Sequence, residues 1–88
     1  MTVLELKDIQ IKDSPVYYRS EYHAAALILF AGQQEEEIPV VFSIEHTATG
    51  AVNIAVNIQQ PLNYPLLPVI NALKAHIADM HSGGKLPE

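Results

Sequence analysis

The strictest pattern in the chain is an alternation of apolar and polar residues between residues 37 and 59. Successive side chains of a β-strand point to opposite faces, so this alternation predicts strands that bury one face. The apolar positions are Ile38, Val40, Phe42, Ile44, Val52, Ile54, Val56 and Ile58. The intervening segment HTATG is short and ends in glycine, which predicts a tight hairpin between strands 37–46 and 51–59.

Two more strands are expected before this hairpin. Residues 2–12 alternate with a change of phase, and a β-bulge near Lys7 and Asp8 would reconcile the two halves. Pro15 predicts a turn, because its ring restricts the backbone. Residues 16–31 then form a long strand whose second half is apolar on both faces.

A helix is expected after the last strand. Apolar residues recur at helical spacing from Leu66 to Met80, and Pro68 suits a first helical turn. The opposite side of this helix is rich in alanine and includes Ala72, Ala75 and Ala78. We therefore predict one α+β domain over residues 1–88: a four-stranded antiparallel meander followed by one C-terminal helix packed on one sheet face.

A single helix of this length cannot cover both faces of a four-stranded sheet. The alternation leaves apolar residues on the second face, namely Leu27, Leu29, Pro39, Val41 and Ala55. Exposed apolar patches usually mark an interaction surface. We expect this face and the alanine side of the helix to bind polypeptide or to mediate self-association as a dimer or tetramer.

The composition of the chain narrows the classes of function. The formal net charge is −5, from ten acidic and five basic residues, so a basic nucleic-acid-binding face is not expected. The chain has no cysteine, which excludes disulfides and thiolate metal sites. It has no signal-peptide pattern, and its longest apolar run, residues 24–31, is far below the roughly 20 residues that span a bilayer. We expect a soluble cytoplasmic protein.

The segment HIADMHSGGK, residues 76–85, combines possible metal ligands with a glycine pair. His76 and His81 are five residues apart, about 140° around a helix, whereas zinc-binding histidine pairs are four apart. A left-handed glycine is common just beyond a helix end, and Gly83 or Gly84 suits that role. The segment is therefore predicted to end the helix, with neither a metal nor a cofactor.

Two polar groups allow a functional interpretation beside a structural one. If Phe30 lies opposite Ile38, His23 lies opposite Glu45 on the second face, which is a pairing that some catalytic sites use. We interpret it as a surface pair instead, because no nucleophile is evident nearby. The carboxylates Glu35, Glu36 and Glu37 are predicted at the tip of a hairpin, where they could dock a basic protein.

Both ends of the chain resemble the SecB export-chaperone family. Residues 66–68, Leu-Leu-Pro, are similar to the opening of that family's long helix, and residues 84–87, Gly-Lys-Leu-Pro, to the segment after it. Residues 7–9, Lys-Asp-Ile, followed by a proline, are similar to its first strand. The resemblance implies assembly through sheet edges and helices, and retention of unfolded chains on an apolar surface beside an acidic one.

Three hypotheses follow for the function. The first is a non-enzymatic, self-associating domain that binds unfolded polypeptide or a basic partner, as a chaperone or an adaptor. The second is a single-stranded nucleic-acid-binding domain of the coactivator or Whirly type, which has the same order of strands and helix; a small structural protein is a variant without a ligand. The third is a small enzyme that uses His23 and Glu45.

Overall fold

The computed structural model describes residues 1–12 and 18–87. It contains four strands and one helix: β1 (Thr2–Lys12), β2 (Arg19–Phe30), β3 (Gln34–His46), β4 (Val52–Ile58) and α1 (Leu66–Ser82). All neighbouring strands are antiparallel, and their order in the sheet is their order in the chain. The predicted α+β meander is therefore confirmed. The predicted turn at Pro15 and the predicted start of the second strand lie outside the described residues.

The core lies between α1 and the face of the sheet that we call the inner face. The side chains of Val69, Leu73 and Ile77 recur every three or four residues and are fully buried. They pack against a continuous apolar surface on the strands, whose most buried members are Ala26, Ile28, Ile38, Val40, Phe42 and Ile44. The inner-face residues of β2 and β3 match the predicted alternation. The predicted helix stripe is too long at its start, because half of the Leu66 surface is exposed.

The bulge predicted in β1 is present. Pairing with β2 shifts between Lys7 and Gln10, and Asp8 has a φ of 53°. A second irregularity between Val3 and Glu5 was not apparent in the sequence. The two breaks mean that β1 is paired with β2 in three short stretches rather than in one regular ladder.

The hairpin between β2 and β3 is tighter than its sequence suggests. Phe30 lies opposite Gln34, whereas we expected it opposite Ile38. Gly32 and Gln33 both have positive φ, and the Gln33 amide donates to the Phe30 carbonyl oxygen at 3.2 Å. The chain thus reverses within a few residues, and residues 34–37 continue the ladder instead of forming a loop.

The hairpin between β3 and β4 has the predicted tight connection. The Thr47 amide donates to the Ala51 carbonyl oxygen at 2.9 Å, and the Gly50 amide donates to the Thr47 carbonyl oxygen at 3.0 Å. Gly50, the predicted turn glycine, has a φ of 86°. The register of β3 and β4 is regular from the Val40–Ile58 pair to the His46–Val52 pair.

The end of α1 is a Schellman motif. The Lys85 amide donates to the Met80 carbonyl oxygen at 2.9 Å, and the Gly84 amide donates to the His81 carbonyl oxygen at 3.2 Å. Gly84 has a φ of 67°, so it is the left-handed residue, while Gly83 keeps a right-handed conformation. The interpretation of residues 76–85 as a helix end is thereby confirmed.

Replacing Leu73 by alanine should destabilise the fold strongly. Leu73 is fully buried between helix and sheet, so Leu73→Ala should lower the free energy of unfolding by about 2–5 kcal/mol. Leu67 lies in the same helix with 67% of its surface exposed, so Leu67→Ala should cost less than about 1 kcal/mol. Urea denaturation followed by circular dichroism measures both. Equal losses would contradict the packing described for α1.

Replacing Gly84 by alanine should weaken the helix end. No atom lies within 4 Å of a Cβ at this position, so the cost comes only from the left-handed backbone, about 1–2 kcal/mol. Gly84→Asn should cost less, because asparagine tolerates this conformation. The comparison of the two variants in urea denaturation tests the assignment, and a harmless Gly84→Ala would refute it.

Candidate functional site

The face of the sheet opposite α1, which we call the outer face, is not covered by any element in the described part of the chain. Its side chains alternate with those of the core along β2 and β3. Leu27, Leu29 and Val41 lie there as predicted, and each is half-buried, while Ala55 is exposed. Uncovered strands therefore present both apolar and polar side chains on one broad surface.

The apolar residues of the outer face lie beside carboxylates. Glu35 pairs with Leu29, and Glu37 pairs with Leu27, so the acidic segment belongs to β3 and the predicted hairpin-tip location is wrong. Directly paired residues of antiparallel strands have their side chains on the same face. On the other side, Glu5 of β1 pairs with Leu27. We call this group, Leu27, Leu29, Glu5, Glu35 and Glu37, the leucine–carboxylate surface.

The third acidic residue of the segment, Glu36, lies on the other face. It pairs with Ile28, whose side chain is in the core. Glu36 is nevertheless exposed, and it lines a shallow cavity of about 480 Å³ that sequence reasoning missed. The cavity lies between the β2–β3 turn and the segment before α1, where the Phe30 and Tyr64 ring centroids are 5.1 Å apart. Only the fold brings these two segments together.

An ion pair crosses the leucine–carboxylate surface. Lys7 Nζ of β1 lies 3.4 Å from Glu37 Oε2 of β3, so the pair passes over the intervening strand β2. The aliphatic stem of a lysine covers apolar surface while its ammonium group stays in water. This arrangement partly explains why Leu27 is only half-exposed.

The other half of the outer face forms a shallow concavity of about 300 Å³. Val41, Ser43, Ala55 and Asn57 line its floor together with Arg19 and Glu21 at one side. Arg19 Nη2 and Glu21 Oε1 are 3.5 Å apart. Ser43 is the buried polar residue of the described chain, so this half is smoother than the leucine–carboxylate surface.

The alanine side of α1 lies on the opposite side of the molecule. Ala75 and Ala78 are exposed and point away from the sheet, while Ala72 is half-buried. The structure therefore does not combine the two surfaces that the sequence predicted for polypeptide binding and self-association. Each surface requires its own test.

The predicted pair of His23 and Glu45 does not exist. His23 lies opposite Val41, and Glu45 lies opposite Arg19, four residues along the ladder. The cause is the tight turn after Phe30, which shifts β3 by four residues relative to the expected register. The geometric argument for an acid–base pair at these positions is therefore lost.

The C-terminal histidines occupy separate environments. His76, with Asp79 and Met80, lines a shallow cavity against β1, whereas the His81 ring contacts the His46 ring at the end of β3 with centroids 5.5 Å apart. In the described residues, no group of three histidine, cysteine, aspartate or glutamate side chains is arranged to hold a metal ion. The contact between His46 and His81 ties the helix end to the sheet.

Residues 1–82 match the model of a protein family whose description names no activity. The chain belongs to that family, BB_0187. No curated protein and no solved structure matches it. Within the described ranges of this family member, none of the helices is long and apolar enough to cross a membrane. The site must therefore be interpreted from its own geometry.

The ion pair between Lys7 and Glu37 should contribute little but measurable stability. Both side chains are partly exposed, so a double-mutant cycle with Lys7→Ala and Glu37→Ala should give a coupling of about 0.2–1 kcal/mol that weakens with salt. A parallel cycle with Lys7→Ala and Glu45→Ala serves as the control, because Glu45 pairs with Arg19. Equal coupling in both cycles, measured by urea denaturation, would contradict the described register.

Proposed function

We propose that this chain is a non-enzymatic, self-associating domain that binds unfolded polypeptide on its outer face, as a cytoplasmic chaperone or adaptor. The observation behind the proposal is the register of β2 and β3, which sets Leu27 and Leu29 beside Glu37 and Glu35. The resemblance of both chain ends to the SecB family supports the same interpretation.

The leucine–carboxylate surface suits an extended segment that contains both apolar and basic residues. Leucine side chains provide contact area, at roughly 25 cal/mol for each Å² of apolar surface removed from water. The carboxylates attract lysine and arginine and disfavour acidic segments, so they contribute selectivity. Because the strands present a broad, uncovered surface, several such segments of one chain can bind in turn.

The charges of the outer face argue against the nucleic-acid alternative. Its cations are Lys7, Lys12 and Arg19, and its carboxylates are those of Glu5, Glu21, Glu35, Glu37 and Glu45. Two of these cations, Lys7 and Arg19, already lie beside carboxylates. A sheet face that binds single strands needs a positive groove, and an acidic face repels the phosphates.

The enzyme alternative loses its structural basis with the pair of His23 and Glu45. These residues lie in different rows of the ladder, each with another partner. We therefore base the proposal on binding and not on catalysis.

The proposal predicts a preference for basic, apolar peptides. A labelled, unfolded peptide that alternates leucine with arginine should bind, while the same peptide with glutamate in place of arginine should bind at least about tenfold more weakly. Fluorescence anisotropy measures both affinities. Binding of the basic peptide should weaken as salt is added, because exposed charges are screened.

Variants locate the binding surface. Combined Leu27→Gln and Leu29→Gln should weaken binding of the basic peptide about tenfold or more, from lost apolar contact. Combined Glu35→Gln and Glu37→Gln should remove most of the difference between the two peptides. Leu67→Gln is the matched control, because Leu67 is an exposed leucine on the helix. If the unmodified chain neither binds the peptide nor suppresses aggregation of a denatured reporter protein, the proposal is wrong.

A further inference from the structure

The two edges of the sheet differ in their protection against further strand pairing. Natural edge strands avoid pairing through charges, prolines and bulges. The β1 edge has such features, because two irregularities interrupt it and it includes Glu5, Lys7 and Asp8. The β4 edge, Val52–Ile58, has the sequence VNIAVNI, with no charge, no proline, no glycine and a regular register.

The hydrogen bonds of β4 identify which of its backbone groups face outward. The Thr47–Ala51 and Pro39–Gln59 pairs are hydrogen-bonded at 2.9 and 3.0 Å, at the two ends of the ladder with β3. In an antiparallel pair, hydrogen-bonded and non-hydrogen-bonded positions alternate. Odd-numbered residues of β4 therefore bond to β3, and the amides and carbonyls of the even-numbered residues point away from the sheet. These residues are Val52, Ile54, Val56 and Ile58.

The sequence of β4 is complementary to itself in the antiparallel direction. About a two-fold axis at Ala55, Ile54 meets Val56 of a second copy, and Val52 meets Ile58. On the outer face, Asn53 meets Asn57, two amides that can donate to and accept from each other. Each pair joins residues of the same chemical class, and no like charges meet.

We propose that two copies of this chain pair antiparallel through β4, about a two-fold axis at Ala55. This inference rests on the self-association in the proposed function and assigns it to one strand. The even-numbered residues form the hydrogen-bonded pairs, about eight bonds in all, because each such pair exchanges two. β-Branched side chains on the helix side continue the apolar surface across the interface: Val52 is 40% exposed, and Ile54, Val56 and Ile58 are half-buried.

The pairing joins two four-stranded sheets into one of eight strands. The edges that remain in this sheet are the two β1 strands, which are the protected ones. Both outer faces lie on the same side, because the axis is perpendicular to the sheet. The two β2 strands are five strand spacings apart, about 24 Å, so one extended segment of about seven residues reaches both leucine–carboxylate surfaces.

Cysteine cross-linking tests the axis directly, because the chain has no cysteine of its own. Ala55 would face its own copy in a non-hydrogen-bonded pair, with Cα atoms about 4.5 Å apart, within the range of a disulfide. Ala55→Cys should therefore form a disulfide-linked dimer under mild oxidation. Asn53→Cys alone should not, because its own copy is about 13 Å away. A mixture of Asn53→Cys and Asn57→Cys should cross-link.

Charge variants give an independent test without oxidation. Ala55 is exposed, so Ala55→Glu should keep the fold but place two carboxylates together at the axis and raise the dimer dissociation constant at least about tenfold. Ala55→Lys should do the same, and an equal mixture of the two variants should restore the dimer. Ala75→Glu on the exposed side of α1 is the matched control and should leave the dimer unchanged. Analytical ultracentrifugation measures all four.

The outcomes separate this inference from polypeptide binding, because no client is present in either experiment. A monomer at every concentration, or a dimer that Ala75→Glu dissociates and Ala55→Glu does not, would overturn the β4 pairing. Cross-linking of Asn53→Cys alone, without that of Ala55→Cys, would overturn it as well. Peptide binding by a monomer would leave the binding part of the proposed function in place while this inference failed.

Discussion

The register between β2 and β3 is the constraint on which the rest of the structure depends. These are the two longest strands, and they form the centre of the sheet. The positive φ angles of Gly32 and Gln33 close the connection within a few residues and keep the acidic segment in the ladder. Because direct partners have their side chains on one face, this register alone sets Leu27 beside Glu37 and separates His23 from Glu45.

The placement of α1 turns this sheet into a two-sided object. Its three buried residues, Val69, Leu73 and Ile77, cover the inner face, where β2 and β3 contribute the most buried side chains. The helix approaches both edge strands, β4 and β1, as expected for a twisted sheet that curves around a helix. The outer face has no such cover in the described part of the chain, so its chemistry is decided by the strands alone.

A small domain of this kind has two surfaces with unused capacity for binding, and they are of different types. The outer face offers side chains, in which apolar contact and negative charge are combined. The β4 edge offers backbone amides and carbonyls with little side-chain hindrance, which is the usual basis of strand addition. The two capacities are compatible, because strand pairing lies in the plane of the sheet and leaves the face open.

The family match covers residues 1–82 and agrees with a single domain without specifying its activity. The similarity to SecB rests on short apolar motifs at the chain ends, which lie in β1 and at the two ends of α1. Those motifs concern how the helix begins and ends. The leucine–carboxylate surface depends on residues between them, so the function must be tested on that surface.

Local sequence patterns were sufficient to predict the strands, the helix, the bulge near Asp8 and the glycine at the end of α1. Each of these follows from interactions between residues close in the chain: alternation across a strand, spacing around a helix, or the freedom of one glycine. The partners of His23, Glu35 and Glu37 could not be predicted in the same way. A ladder register depends on the exact length of a turn, and a run of three glutamates after glycine is typical of a loop. Only the tertiary structure decided that Gln34 closes the turn, because the energy of continuing the ladder and burying Ile38 on the inner face is gained through contacts distant in the chain.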